Sequence, residues 1–463
     1  MEKSLNKRIS GSFRDPSGVL FFENNKLLRS VNNVYKQNYD HLVESGLYKK
    51  LVEENLLISH KDVSNNYTNI DNVYKIIEPE LVPFISYPYE WSFSQLKDAG
   101  LLIIRIQKEA LAYKMTLKDA SAYNVQFFKG KPILIDTLSF EIYNKNQPWI
   151  AYRQFCQHFL APLSIMEYCD VRFNQLMKIY IDGFPLDFVS KLLPVYTWLK
   201  PSILFHIHLH AKAQKKYENQ ESVPTNQRIS SYNLDALIDS LNSAIKSVKW
   251  TPKRSEWSEY YMDTNYSREA MIDKIKIIDA FITASKPKSV WDLGANTGLI
   301  SRTIVNNNID IIAFDIDHVA VEKNYLQIKR DNETKILPLC IDLNNPSPAI
   351  GWANKERLSL LERGPADTII ALALVHHLAI SNNVPFNYIA DYFSTICKFL
   401  IIEFVPKEDS QVQRLLRRRD DIFHDYTIAD FESAFAAKFL IKKNQNIIDT
   451  HRTVYLMERR NVL

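Results

Sequence analysis

The chain has 463 residues, and this length favours two or three separate hydrophobic cores over one. Hydrophobic residues make up 46% of it and charged residues 24%, a balance that excludes a disordered or fibrous protein. The 57 basic and 53 acidic side chains leave a net charge of +4, which is too small for a general nucleic-acid or membrane-surface binder. Any basic patch must therefore be local, and we expect no DNA partner.

The four cysteines lie far apart and form no CxxC pair; they are Cys156, Cys169, Cys340 and Cys397. This spacing indicates neither a zinc ribbon nor a disulfide framework. No apolar segment follows the basic start, and no apolar run approaches the roughly 18 residues that a membrane span needs. We therefore expect a cytoplasmic protein with free thiols, no membrane span and no bound metal.

The first part of the chain is predicted to be α+β and rich in helix. Two apolar segments flank a turn-prone Glu-Asn-Asn within residues 17–32, which predicts a β-hairpin. Apolar residues recurring three and four positions apart predict helices at 91–113, 150–169 and 187–200. The polar stretch 211–231 predicts a linker, so we assign residues 1–210 to an amino-terminal domain.

The second domain is predicted to cover residues 232–463 and to be of the α/β class. Helical patterns near 232–248 and 268–284 lead into short apolar runs that alternate with further helical patterns. The runs are 289–293, 310–314, 335–339, 367–373 and 399–404. Strands that alternate with helices indicate right-handed crossovers and a doubly wound parallel sheet.

The most informative motif follows the first of these strands, where residues 290–298 read VWDLGANTG. Such a turn lets backbone amides face a ligand beyond the carboxyl edge of the sheet. Asp315 ends the second strand, where a carboxylate can accept ribose hydroxyls, and Asp342 follows the third. Asn296 stands where a dinucleotide fingerprint requires its second glycine, so a cofactor without a diphosphate fits better.

These residues (VWDLGANTG, then FDID and CIDL) resemble the signature of class I S-adenosylmethionine-dependent methyltransferases over about residues 255–463. The resemblance implies a Rossmann-like sheet with one antiparallel strand, at 452–457, and S-adenosyl-L-methionine as the cofactor. It implies that the turn from Asp292 to Gly298 holds the methionine part, Asp315 the ribose, and Asp342 with Leu343 the adenine. The implied cofactor site comprises Asp292, Gly294, Asn296, Gly298, Asp315, Ile316, Asp342, Leu343 and Ala373. Upstream, the residues Tyr260, Tyr261, Tyr266 and Lys274 either close over the cofactor or simply pack.

The segment after the fourth strand bears on the methyl acceptor. Residues 371–378 read ALALVHHL, whereas enzymes that methylate exocyclic base nitrogens carry an (Asp/Asn)-Pro-Pro-(Tyr/Phe) sequence there, so nucleobase methylation is disfavoured. Transfer to a hydroxyl needs a base, and the candidates are His376, His377 and, at the end of the fifth strand, Glu403. Each of the three can instead be structural. The arginines of the run QRLLRRRDD either grip an anionic acceptor or form a solvated helix face; they are Arg414, Arg417, Arg418 and Arg419.

A second motif lies in the amino-terminal domain, where LKDASAYN is followed by PILID. The spacing of Asp119, Asn124 and Asp136 resembles the catalytic loop of protein-kinase-like and aminoglycoside-phosphotransferase-like folds, which implies a base at Asp119 and magnesium ligands at Asn124 and Asp136. No glycine-rich loop and no phosphate lysine accompany it. The motif is therefore open to three interpretations: a degenerate kinase-like domain that binds or scaffolds, an active phosphotransferase, or coincidence.

Most of the chain also resembles a bacterial group related to nodulation methyltransferases, on LKDASAYN, IDTLSFE and AYRQFCQHFLAPL. The sequence therefore predicts a methyltransferase that acts on oxygen of a small-molecule or saccharide-like acceptor, with the amino-terminal domain recognising or presenting that acceptor. The alternatives are a bifunctional kinase and methyltransferase, and a cofactor-binding interaction module without catalysis.

Overall fold

The structure is a computed structural model that describes residues 8–67, 70–218, 229–252, 266–305, 309–417 and 420–460. The chain divides into two compact units. The first comprises residues 1–251 and 350–357, and the second comprises residues 252–349 and 358–463.

The first unit begins with a small antiparallel sheet and two helices. The elements are β1 (Leu20–Glu23), β2 (Lys26–Asn32), α1 (Lys36–Glu44), α2 (Leu47–Glu53), β3 (His60–Asp62) and β4 (Val73–Pro79), and the strand order is β1-β2-β4-β3. The predicted hairpin is confirmed as β1 and β2. Its turn places Asn24 and Asn25 at φ 49° and 62°, the left-handed backbone that a two-residue hairpin turn needs and that asparagine tolerates.

The rest of the first unit is mostly helical, with two short antiparallel strand pairs, β5 with β8 and β6 with β7. The elements are α3 (Phe93–Ala112), β5 (Met115–Leu117), β6 (Val125–Phe128), β7 (Lys131–Leu134), β8 (Phe140–Ile142), α4 (Tyr152–Phe155), α5 (Ala161–Tyr168), α6 (Leu186–Leu192), α7 (Pro201–Ile203), α8 (His210–Glu218) and α9 (Ser231–Ser247). The prediction of one helix over 187–200 was wrong. Helix α6 ends at Leu192 because Pro194 disfavours helical backbone at the residue before it, and a separate 3-10 turn, Val195–Leu199, follows.

The boundary between the units lies further along the chain than the predicted linker. Helix α8 extends into residues 211–231, and α9 belongs to the first unit. There α9 packs against α3, and Lys97 of α3 donates to the carbonyl oxygens of Lys246 (3.0 Å) and Val248 (2.7 Å). The helical pattern at 232–248 was thus correct, but its assignment to the second domain was not.

Residues 350–357 belong to the first unit although they lie between strands of the second in sequence. Ile350 and Arg357 pair by two backbone hydrogen bonds of 3.1 Å, which close the segment into a loop. Arg14 holds the loop by donating to the Glu356 carboxylate, from Nε at 3.0 Å and from Nη2 at 2.7 Å. The Arg357 guanidinium lies 4.4 Å from the centre of the Tyr123 ring. The loop is thereby fixed to the first unit by an ion pair and a cation–π contact.

The second unit is a seven-stranded sheet of order β11-β10-β9-β12-β13-β15-β14. Its elements are α10 (Arg268–Ser285), β9 (Ser289–Leu293), α11 (Leu299–Ile304), β10 (Asp310–Asp315), α12 (His318–Asp331), β11 (Ile336–Cys340), β12 (Ala366–Ala371), α13 (Phe386–Ile396), β13 (Cys397–Phe404), α14 (Ser410–Leu416), α15 (Ile428–Ala436), β14 (Phe439–Asn446) and β15 (Thr453–Arg459). The five predicted strands are confirmed as β9 to β13, which pair in parallel, and the predicted final antiparallel strand is β15.

The register of this sheet determines where a ligand can bind. Asp292 of β9 pairs with Ala313 of β10 on one side and with Ile370 of β12 on the other. The carboxyl ends of these strands therefore meet at one edge. Because the strand order reverses between β9 and β12, a crevice opens beyond that edge, which is where doubly wound folds bind their ligands.

Candidate functional site

A cavity of about 460 Å³ lies at the carboxyl edge of β9 to β12. Eight predicted cofactor residues line it, namely Asp292, Gly294, Asn296, Asp315, Ile316, Asp342, Leu343 and Ala373. The sequence did not single out a further group of lining residues, which includes Met271, Leu374, Leu378, Ser381, Asn382 and Leu415. The cavity therefore combines carboxylates and backbone at one part of its wall with apolar and amide side chains at another.

The glycines of the turn after β9 have different roles. Gly294 has φ 75°, and a Cβ there would meet only Leu374, at 3.6 Å, so this position leaves room for close approach to the cavity. Gly298 has φ 78°, and a Cβ there would lie 2.6 Å from Asn324 and 2.7 Å from Arg302. Gly298 does not line the cavity, and it is needed for packing between α11 and α12.

Asp315 is positioned by the backbone around it. Its carboxylate accepts from the amide of Asn296 at 2.7 Å and from the amide of Asp317 at 2.8 Å. Burial outweighs these hydrogen bonds and raises the pKa of Asp315 to about 6. The result is an oriented carboxylate on the cavity wall that can accept hydrogen bonds from hydroxyl groups.

Asp292 lies beside it and is almost fully buried. Ser301 donates to its carboxylate at 2.6 Å. Burial raises the pKa of Asp292 to about 6, and the neighbouring Asp315 carboxylate adds to the shift while Lys274 opposes it. Two carboxylates of raised pKa therefore lie at one edge of the sheet, an arrangement typical of functional sites.

Glu403, at the end of β13, is fully buried and does not line the cavity. Its carboxylate accepts from Lys274 Nζ at 2.7 Å, from the Ala373 amide at 2.9 Å and from the Tyr266 hydroxyl. Burial alone would raise the pKa of Glu403, but the charges of Lys274 and Arg452 hold it below its usual value. The prediction that Glu403 is a base acting on the acceptor has no support from this position, because its oxygens are engaged by buried donors.

The hydrogen bonds of Glu403 extend to two elements that the sequence could not connect. Arg452, just before β15, donates to the Tyr266 hydroxyl at 2.7 Å and to both oxygens of Asp409, at 2.8 and 3.0 Å. Of the residues predicted to close over the cofactor, Lys274 lines the cavity, Tyr266 lies within this cluster, and Tyr260 and Tyr261 fall outside the described residues. The Glu403 cluster, as we call Tyr266, Lys274, Glu403, Asp409 and Arg452, thus places one ammonium group at the cavity wall.

Ala373 has φ 48°, a left-handed backbone that is rare for alanine. This conformation costs on the order of 1–3 kcal/mol and persists only where the surroundings hold it. The hydrogen bond from the Ala373 amide to Glu403 is such a contact. The turn places Leu372, Ala373 and Leu374 along the cavity. The left-handed backbone at Ala373 therefore sets the direction of the segment that carries the two histidines.

The structure separates the two candidate histidines. His377 lines the cavity, whereas His376 is buried behind it, with the ring centres 4.2 Å apart. Burial lowers the pKa of His377 to about 4 and that of His376 well below its usual value. Both imidazoles are thus neutral near pH 7, and only His377 is placed to meet a ligand in the cavity.

The arginine run is only partly described. Arg414 and Arg417 are exposed on or just after α14, whose Leu415 lines the cavity, and Arg418 and Arg419 lie outside the described residues. Neither described arginine lines the cavity. A solvated helix face fits these two positions.

In the first unit, the predicted magnesium and base residues are held by protein partners. The Asp119 carboxylate accepts from the Ser121 amide at 2.9 Å and from Gln154 at 2.8 Å. Asp136 forms an ion pair with Arg29 at 2.8 Å, and the Asn124 amide donates to Ser139 at 3.4 Å. Within the described ranges, no three or more His, Cys, Asp or Glu side chains converge as a metal site. The kinase-like interpretation of this unit remains a prediction.

In the part of the chain that the structure describes, no helix combines the length and the apolar composition required for a membrane crossing.

The second unit has the fold of class I S-adenosylmethionine-dependent methyltransferases. Its seven strands have the order given above, β15 alone is antiparallel to the other strands, and a cavity lies at the carboxyl edge of the sheet. Similar solved structures include magnesium protoporphyrin IX methyltransferase (ChlM) from Synechocystis PCC 6803 with bound SAM, with 14% identity, a TM-score of 0.31, and coverage of 45% of this chain and 87% of that one. The N-methyltransferase NodS from Bradyrhizobium japonicum WM9 in complex with S-adenosyl-L-homocysteine has 9% identity and a TM-score of 0.32, with coverage of 44% and 92%.

No family model matches the chain. A curated relative, "Nodulation protein NoeA" of Rhizobium meliloti (strain 1021), is 34% identical over 461 residues, which cover 98% of this chain and 96% of the relative. The chain belongs to the same family as this relative, the NoeA family.

Proposed function

We propose that this protein is an S-adenosyl-L-methionine-dependent methyltransferase that methylates an oxygen of a small-molecule or saccharide-like acceptor. The observation that carries the proposal is the cavity at the carboxyl edge of β9 to β12, where eight residues predicted to hold the cofactor come together. Its volume of about 460 Å³ falls in the range of small-molecule sites.

The residues of the cavity fit this cofactor. The Asp315 carboxylate, oriented by two backbone amides, would accept the ribose hydroxyls, and Asp342 with Leu343 would hold the adenine. The open space at Gly294 would admit the methionine part, and the Lys274 ammonium offers a cation at the same wall. When bound, the cofactor supplies an electrophilic methyl group on a good leaving group.

The chain itself then has to orient the acceptor and remove its proton. His377 is the group we assign to that proton, because it lines the cavity and is unprotonated near pH 7. Glu403 acts as a positioning residue, since it holds both the Ala373 turn and Lys274. The apolar wall of Leu374, Leu378 and Leu415 would exclude water from the reacting groups.

We assign to the first unit the recognition or presentation of the acceptor. The ion pair of Asp136 with Arg29 does not favour the alternative of a second, phosphotransferase activity.

A cytoplasmic location is part of the proposal, supported by four free cysteines. The small net charge supports the absence of a DNA partner.

The proposal is tested by titration calorimetry of S-adenosyl-L-methionine into the full chain. Asp315→Ala removes a charge-assisted acceptor worth about 1.5–3 kcal/mol and should weaken binding about tenfold or more. Asp310→Ala is the matched control, because Asp310 begins the same strand and makes only a half-exposed ion pair with Lys335; its affinity should stay at the wild-type value. Equal affinity of folded Asp315→Ala and wild type would overturn the assignment.

A further inference from the structure

The first unit carries an exposed apolar patch between α6 and α8. Val195 and Leu199 are each 84% exposed and Tyr196 is 53% exposed, and the patch continues along the chain through exposed Leu192, Phe205 and Leu209. Scattered exposed apolar residues are ordinary, but several large ones within one short segment mark an interaction surface. The apolar patch therefore needs a partner that covers it.

The segment that bears the apolar patch is held rigidly. His208 Nδ1 lies 2.7 Å from Ser190 Oγ of α6, and its Nε2 lies 2.9 Å from Thr197 Oγ1 of the 3-10 turn. The Trp198 ring stacks on the His208 ring at 4.3 Å. One buried imidazole thus fixes α6, the turn and the following helix together. The exposed side chains are presented by a packed platform.

The segment that bears the apolar patch carries only basic charges in its sequence. Residues 188–217 contain no Asp or Glu, while Lys191, Lys200 and Lys212 are exposed. The acids on neighbouring elements have basic partners: Asp187 lies 3.7 Å from Lys191, and Asp170 lies 2.8 Å from Arg172. Burial raises the pKa of Glu167, and the charge of Lys200 opposes that shift. The apolar patch is therefore bordered by lysines.

We propose that the apolar patch docks the protein on the surface of an anionic phospholipid membrane. Val195 and Leu199 would enter the boundary between headgroups and acyl chains, the lysines would meet the anionic headgroups, and Tyr196 and Trp198 would lie at the interface that aromatic residues prefer. A second copy of the chain fits less well, because a two-fold contact would bring Lys200 and Lys212 of both copies together, and residues 188–217 contain no acid to pair with them. This inference is independent of the proposed methyl transfer.

The test is co-sedimentation of the full chain with two kinds of vesicle, phosphatidylcholine alone and phosphatidylcholine mixed with phosphatidylglycerol. We expect binding to the mixed vesicles, weaker binding to the neutral ones, and a decrease as salt screens the lysines. The double variant Val195→Glu, Leu199→Glu should bind the mixed vesicles at least about tenfold more weakly, because it removes two apolar insertions and adds repulsion.

Val34→Glu is the matched control, since Val34 is 74% exposed in the same unit but lies outside the apolar patch; it should bind like wild type. Both substituted sites are on the surface, so circular dichroism should show an unchanged fold. Three results would each overturn the proposal: no binding to the mixed vesicles, equal binding by the double variant, or equal binding to both kinds of vesicle. Light scattering could instead show a dimer that dissociates only in the double variant. Together with an absence of vesicle binding, that result would assign the apolar patch to a second copy.

Discussion

The two units contain carboxylates at similar places, just after short strands, but surround them differently. In the second unit Asp315 accepts hydrogen bonds from backbone amides and faces a cavity. In the first unit Asp136 is neutralised by Arg29, and Asp119 is engaged by Gln154. Spacing along the sequence singled out both sets of carboxylates, but only their partners in the structure distinguish the carboxylate that lines a cavity from those engaged by protein side chains.

The largest effect is expected at His377. His377→Ala should slow methyl transfer by on the order of 10²–10⁴, the usual contribution of a positioned base, while S-adenosyl-L-methionine affinity stays nearly unchanged. Single-turnover transfer to an acceptor found by screening hydroxyl-bearing saccharides would measure it. His424→Ala, at an exposed position, is the control. Wild-type rates for His377→Ala across pH would show that His377 is structural, and the same result for His376→Ala would show that both histidines are.

Opposite changes in stability should follow when the two kinds of carboxylate lose their charge. Asp292→Asn should stabilise the cofactor-free protein by roughly 1–3 kcal/mol near pH 7, because it removes a charge whose burial is unfavourable, and the Ser301 hydroxyl can either donate to or accept from the amide. Asp136→Asn should destabilise it by a similar amount, because Arg29, 8% exposed, loses an ion-pair partner. Chemical denaturation of both variants checks the signs, and two changes of the same sign would contradict the comparison.

The pH dependence of unfolding sharpens this prediction. The folded-state pKa of Asp315 is about 6, above the ordinary 3.8, so the folded state binds the proton more tightly than the unfolded state does. The contribution of this carboxyl to stability is therefore fully present below pH 3.8 and is lost as pH rises to about 6. Asp315→Asn should reduce the slope of the wild-type profile in that window to the part that Asp292, whose pKa is also about 6, contributes, and Asp310→Asn should leave the slope unchanged.

A smaller effect is expected at the Glu403 cluster. Burial lowers the pKa of Lys274, and Glu403 opposes the shift. Glu403→Gln keeps the shape but removes that opposition, so Lys274 should lose its proton at lower pH. Cofactor affinity should then fall about three- to tenfold at pH 7 and further as pH rises.

Calorimetry across pH would measure this effect, with Glu408→Gln, exposed on the next turn of chain, as the control. An affinity for Glu403→Gln that matches wild type at every pH would show that the cluster only packs the fold.

The smallest effect is expected at the kinase-like motif. We expect weak or absent binding of magnesium-ATP to the full chain, and Asp136→Asn should leave methyl transfer largely unchanged. A low-micromolar dissociation constant that needs magnesium and disappears in Asp136→Asn would restore the phosphotransferase alternative.

Local patterns predicted the second unit well because buried parallel strands are short apolar runs. Strand β9 has the predicted bounds, and the other four differ by a few residues at their ends. The residues that the resemblance implied for the cofactor lie at the ends of these strands or in the turns after them, and eight of the nine line the cavity.

What the sequence did not reveal depends on contacts between distant positions. Glu403 looked like an available base because Lys274 and Ala373, its partners, lie 129 and 30 positions away. The prediction of a single helix over 187–200 was wrong because the apolar periodicity continues through Pro194, whereas the helical backbone ends before it. Neither the assignment of α9 to the first unit nor that of residues 350–357 has a local signature.

The closed loop of residues 350–357 affects how the second unit can be produced as a separate fragment. A fragment beginning near residue 252 would carry the methyltransferase fold, but it would expose Glu356 and Arg357 without Arg14 and Tyr123. Because Ile350 and Arg357 face each other across two backbone hydrogen bonds, a two-residue turn can replace the intervening residues without stretching the chain. Such a loop-shortened fragment lacks the two unpartnered charges and is the natural starting point for crystallising the cofactor site.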